Sequence, residues 1–125
     1  MAKKAAAQSS DKTVKRFDYT VEKKKNYVKI DIIGDFTITT TPRLKKAVRE
    51  LIDEGNINFV FDLAECRYID STGLGFFIGT LKNLKENKGA MHLTGINPFI
   101  SGIFQLINLA SLLPIYDDIK EACKF

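Results

Sequence analysis

The chain has 125 residues, of which 45% are apolar, with nine Phe, four Tyr and a net charge of +4. That length suits one domain with a sizeable core. No apolar run approaches the roughly 20 residues of a membrane-spanning helix, and the basic N-terminus lacks the apolar stretch of a secretory signal.

The charge is unevenly placed. Residues 1–25 hold eight Lys or Arg and three acids, whereas the rest hold eleven and twelve. The basicity therefore belongs to the N-terminal arm and the first hairpin. A nucleic-acid-binding body would interleave basic and aromatic residues throughout, and this body does not. A solvated leader is the plain reading of the arm. Weak attraction to an anionic surface is the sharper one. Cys66 and Cys123 form neither a C-x-x-C pair nor a disulfide framework. A reduced, cytoplasmic setting fits them.

Residues 1–14 are small, polar and charged, and read as a flexible basic tail, with one domain over residues 15–125. From Arg16 to Lys24, Phe17, Tyr19 and Val21 alternate as a half-buried strand does. Lys23 to Asn26 make a turn. Val28, Ile30 and Ile32 alternate again, so the two strands predict a hairpin. Gly34 ends the second strand. Pro42 suits a first helical turn, which Thr40 or Thr41 can cap. Leu44, Val48, Leu51 and Ile52 follow at helical spacing, and Gly55 suits the end.

Ile57 to Leu63 is short, apolar and β-prone, as a central strand is. Tyr68-Ile69-Asp70-Ser71-Thr72-Gly73-Leu74-Gly75 comes next. A helical face of Phe76, Phe77, Leu81 and Leu84 follows and ends near Asn87 to Gly89. Ala90 to Thr94 predict another strand. Asn97-Pro98 open a third helix, with Ile100, Ile103, Phe104 and Ile107 on its buried side. Leu112 to Tyr116 predict a last short strand, and Asp117 a cap for a helix over residues 118–124. Strands alternating with helices argue for an α/β fold with a mostly parallel sheet.

Several chemistries find no support. His92 is the sole histidine, lies in a predicted strand and has no serine partner in a Gly-x-Ser-x-Gly turn. No His, Cys or carboxylate cluster suits a metal, and no glycine-rich phosphate loop is present. No cofactor is implied. A catalytic reading is weak, because too few titratable groups converge. The cluster at Asp70 and Ser71 stands apart, since both residue types cap helices. A hydroxyl at a helix start is also a place where the helix dipole tolerates a phosphate. The tripeptide alone leaves both readings open.

The wider pattern resembles the STAS domains, and more narrowly the bacterial anti-sigma factor antagonists. Asp70-Ser71-Thr72-Gly73-Leu74-Gly75 after Phe61-Asp62-Leu63 is similar to their signature. The likeness extends over about residues 17–122. It takes in Gly34-Asp35-Phe36, Thr41-Pro42-x-Leu44, Ile96-Asn97-Pro98 to Leu106, and Leu109-Ala110-Ser111-Leu112-Leu113. The resemblance implies a STAS fold: a mixed, mostly parallel sheet with an antiparallel N-terminal hairpin at its edge and about four helices. It further implies a switch rather than an enzyme. The unphosphorylated protein binds an anti-sigma factor that is also a serine kinase, and this frees a sigma factor. Phosphorylation of the serine after the motif aspartate, here Ser71, ends the interaction, and a phosphatase restores it. Thr72 is the secondary acceptor.

The partner-binding surface implied comprises Asp35, Thr37, Asp70, Ser71, Thr72, Gly73 and Leu74. Relatives often carry a second acid where Thr37 stands. That departure keeps open an alternative, a STAS interaction subunit of a transport or signalling complex that is not phosphorylated.

Overall fold

Alternating apolar residues build the centre of the molecule. The computed structural model describes residues 2–5, 18–108 and 111–125. Residues 6–17, among them Arg16 and Phe17, and Leu109 and Ala110 lie outside the described residues. The elements in order are β1 (Ala2–Ala5), β2 (Asp18–Lys23), β3 (Val28–Ile33), α1 (Thr41–Asp53), β4 (Asn58–Glu65) and α2 (Ser71–Glu86). They continue with β5 (Ala90–Thr94), α3 (Pro98–Leu106), β6 (Ile115–Tyr116) and α4 (Ile119–Ala122). All six strands form one sheet in chain order. The β1–β2 and β2–β3 pairs are antiparallel, and the pairs from β3 to β6 are parallel.

Val28, Ile30 and Ile32 of β3, Phe59, Phe61 and Leu63 of β4, and Met91 and Leu93 of β5 are all buried in one core. Leu44, Val48 and Leu51 of α1, Phe76, Phe77, Leu81 and Leu84 of α2, and Ile100 and Phe104 of α3 close it. Both periods, two in the strands and about 3.6 in the helices, are those read in the sequence. Aromatic rings hold the middle. Phe77 meets Phe36, Phe61, Phe76 and Phe104 at centroid distances of 5.6, 5.5, 5.3 and 6.3 Å. Three of these contacts are edge-to-face, the favoured geometry of aromatic pairs.

His92 alternates with Met91 and Leu93 and so leaves this core on the other side of the sheet. There its Nδ1 lies 2.8 Å from the Ala122 carbonyl, and its ring stacks on Phe125 at 4.1 Å. It is a buried strand residue tied to the C-terminal segment.

Five boundaries differ from the sequence expectation. Ala2–Ala5 pairs with β2 rather than trailing as a tail. The edge of β2 offers free backbone groups, and pairing with them asks nothing of side chains, so the composition gives no sign of it. Thr40 takes the capping position of α1 without a side-chain cap bond. Its Oγ1 instead accepts the Thr37 N–H at 2.8 Å. Thr41 Oγ1 is buried without a partner. Helix α3 stops at Leu106 because Asn108 adopts a positive φ of 59°, and Ile107 is left 44% exposed rather than buried. The last strand shrinks to Ile115–Tyr116, since Pro114 has no N–H to give. Asp118, not Asp117, caps α4, accepting the Lys120 N–H at 3.0 Å.

Phe77 is fully buried at the centre of the ring cluster. Phe77→Ala is expected to cost about 3–5 kcal/mol, read as a lower urea midpoint with an unchanged denaturant slope.

Candidate functional site

The loop after β4 and the loop after β3 run side by side. The Phe36 N–H donates to the Tyr68 carbonyl at 2.9 Å, and the Asp70 N–H donates back to the Phe36 carbonyl at 3.2 Å. An isolated parallel bridge, Phe36 with Ile69, extends the sheet by one step. The sequence places no long strand here, so the two loops reach each other through these few bonds and through Asp70.

Asp70 is the cap of α2 and has an extended backbone. Its Oδ1 accepts the N–H groups of Thr72 at 2.9 Å and Gly73 at 3.0 Å. Its Oδ2 accepts the Ile38 N–H at 2.8 Å. One carboxylate thus holds the helix start and the neighbouring loop together. Desolvation works against its charge, but the N–H groups of Gly73, Ile38 and Thr72 outweigh that and lower its pKa.

Gly73 explains the tightness of the joint. A Cβ there would lie 2.6 Å from the Phe36 carbonyl oxygen and 2.9 Å from Ile69. Only glycine lets the first turn of α2 approach Phe36 so closely. Gly75 and Gly79 differ. A Cβ at either would meet nothing within 4 Å. Each costs a helix roughly 1 kcal/mol relative to alanine, and the internal packing of the chain does not require them.

Ser71 is the first residue of α2 and is exposed. Among the described residues its hydroxyl enters no hydrogen bond. Thr72 is half-buried, and Leu74 is half-buried against the core. Thr37 lies in the loop that Asp70 clamps. Its hydroxyl pairs with that of Thr39 at 3.0 Å, and its carbonyl accepts the N–H groups of Thr40 and Thr41. Thr37 therefore shapes the turn, with Ile38 next to it bonded to Asp70. Asp35 is exposed, and its negative charge helps to raise the Cys66 pKa. Among the described residues no hydrogen bond joins the Asp35 carboxylate to residues 70–74.

Three residues at this end of the sheet escaped the sequence reading. Ile38 is 66% exposed, Tyr68 44% and Phe99 50%. Tyr68 and Phe99 stack at 5.6 Å. Together they give an apolar rim near Ser71. An isoleucine among loop threonines was the visible signal for Ile38, but Tyr68 and Phe99 look like core aromatics until the fold exposes them.

Burial, and then the charge of Asp35, push the Cys66 thiol up to about 11, so it stays protonated at neutral pH. Among the described residues no group of three or more His, Cys, Asp or Glu could hold a metal ion. No helix among them is long and apolar enough to cross a membrane.

Residues 18–122 match the STAS domain model. The chain belongs to the STAS domain family. The anti-sigma-B factor antagonist of Staphylococcus epidermidis is 30% identical over 90 residues, which is 72% of this chain and 83% of that one. Among solved structures, a Thermotoga maritima protein suggested to be an anti-sigma factor antagonist superposes with a TM-score of 0.79 at 25% identity, over 82% of this chain and 88% of the other. The anti-sigma factor antagonist SpoIIAA in its unphosphorylated form has a TM-score of 0.70 at 18% identity, over 82% and 91% of the two chains. That last likeness concerns the fold. The family assignment agrees with the resemblance read from the motif and with the α/β sheet observed.

Two outcomes are expected of this STAS domain. Gly73→Ala should lose about 1–3 kcal/mol through overpacking against Phe36, measured by urea unfolding. Asp70→Ala should lose about 1–2 kcal/mol at pH 7. Asp70 has a lowered folded pKa, so its contribution is complete above the unfolded value near 3.9. It fades as pH falls through the folded pKa. The stability gap between wild type and Asp70→Ala should therefore close progressively below about pH 4.

Proposed function

We propose that this STAS domain is an anti-sigma factor antagonist whose switch is Ser71. The unphosphorylated form binds an anti-sigma factor with serine kinase activity in the cytoplasm and frees a sigma factor. Transfer of a phosphoryl group from ATP to the Ser71 hydroxyl leaves ADP and a phosphoserine, and the complex comes apart. A serine phosphatase hydrolyses the phosphoserine and resets the protein. The chain itself supplies no catalytic group and needs no metal or cofactor of its own.

The observation that carries this reading is the state of Ser71: exposed, at the start of α2, with its hydroxyl outside every hydrogen bond of the described residues. It is available to another enzyme at no cost to the fold. Thr72 is half-buried, which ranks it second as an acceptor. The named relatives support the class of partner. Around Ser71, the partner-facing set comprises Asp70, Thr72 and Leu74 from the motif and Asp35 and Thr37 from the facing turn; Gly73, expected in this set, is buried against Phe36 and positions the joint instead. Ile38 and Tyr68 join them as exposed apolar contacts.

A phosphate brings about −1.5 to −2 charges. It would stand beside Asp70, whose carboxylate already occupies the Thr72 and Gly73 N–H groups. The helix start therefore offers the phosphate little neutralisation, and its charge faces the partner. Weaker binding of the modified form makes phosphorylation and partner release two sides of one linkage.

Incubation with ATP and the kinase-type anti-sigma factor of the same genome is expected to add one phosphate by intact mass. Ser71→Ala should remain unmodified and still bind. Ser71→Asp should bind about tenfold more weakly or worse. Modification of Ser71→Ala to the same extent as wild type would sink the assignment.

A further inference from the structure

Helices α1 and α2 touch without filling the space between them. Between them runs a groove of about 510 Å³. Lys45, Val48 and Arg49 of α1 line one wall, and Thr72, Gly75 and Gly79 of α2 line the other. Phe76 contributes to the floor. We infer that this groove receives an amphipathic helix of the partner, with small or apolar residues against the α2 glycines and an acidic edge against Lys45 and Arg49. The inference rests on the antagonist reading and extends it.

Four observations support this occupant. Gly75 and Gly79 are spaced one helical turn apart and exposed, and a Cβ at either meets nothing within 4 Å. Glycine is a poor helix residue, and no internal contact demands it here, in contrast with Gly73. A backbone approaching from outside does demand it. Second, the wall opposite carries two cations, and among the described residues no acid lines the groove. Lys45 and Arg49 are exposed and enter none of the ion pairs among the described residues. Their i, i+4 spacing places them about 6 Å apart on one face, a match for two carboxylates one turn apart on a facing helix.

Third, the length fits. Thr72 to Asn83 along the α2 wall rises roughly 16 Å, or three helical turns. Fourth, the groove is open along that length, since Lys45, Arg49, Gly75, Gly79 and Asn83 are all exposed. A small ligand would lack the enclosure that such ligands need. Thr72 marks the end of the groove next to Ser71. A phosphate at Ser71 would bring negative charge to that end of the groove, so longer-range repulsion of an acidic helix would favour release.

The test is a titration of the kinase-type anti-sigma factor encoded in the same genome against three forms of the full chain: wild type, Gly79→Leu and Lys45→Glu/Arg49→Glu. Gly79→Leu fills the groove from an exposed position and should keep or raise the melting temperature while weakening binding about tenfold or more. The double charge reversal should weaken binding by a similar factor and flatten the salt dependence of Kd. Both groove variants binding within about twofold of wild type, with Ser71 still phosphorylated, overturns the groove and leaves the antagonist reading standing. No binding or phosphorylation of wild type overturns both. Self-association of the chain that Gly79→Leu abolishes makes a second copy the occupant and overturns the inference.

Discussion

The carboxylate of Asp70 is the joint on which the site depends. Three N–H groups converge on it, two from the first turn of α2 and one from Ile38. A helix start leaves several N–H groups without partners, and a cap normally satisfies one or two. Here the same side chain also ties down a loop more than thirty residues earlier in the chain. Gly73 makes this possible by letting the helix rest on the Phe36 backbone, and Phe36 in turn sits in the ring cluster with Phe76 and Phe77. Surface geometry and core packing are therefore one unit. Movement of α2 would break the clamp and the aromatic contacts together.

That unit was only partly legible in the sequence. The strands β3, β4 and β5 and the helices α1 and α2 declared themselves through their periods, because each has one face that must be buried. The motif at Asp70 was visible, and Asp70 was expected as a cap. Its third bond, to Ile38, was not, because nothing local in Gly34 to Thr41 reveals which loop lies beside it. Polar turns were misread for the same reason. Thr40 has the chemistry of a cap, but Thr37 N–H claims its hydroxyl first. Ile107 follows the helical period, yet the left-handed turn at Asn108 ends the helix before that period can bury it. β1 lay beyond any pattern, since an edge pairing uses backbone groups alone.

Division of labour between Asp70 and Ser71 has a physical consequence for any switch at this place. Where a serine caps its own helix, phosphorylation removes a cap and disturbs the first turn. Here the cap belongs to the preceding residue, so Ser71 can change charge while α2 stays anchored. The fold separates stability, carried by Asp70 and Gly73, from signal, proposed for Ser71. A modification that only adds charge at a rigid surface acts through the partner, and its size depends on what charge the partner brings.

Thr37 bears on that size. An acid at this turn would add a second negative charge beside Asp70, whereas threonine adds none. The turn does not need the acid for its shape, because Thr37, Thr39 and Thr40 hold it with hydroxyl and backbone bonds. With one fewer negative charge in the resting state, an acidic partner edge meets less repulsion before phosphorylation. The change in potential brought by a phosphate on Ser71 is then larger relative to that baseline. On this argument Thr37 does not disable the proposed switch; it shifts the unmodified state toward tighter binding of an acidic partner.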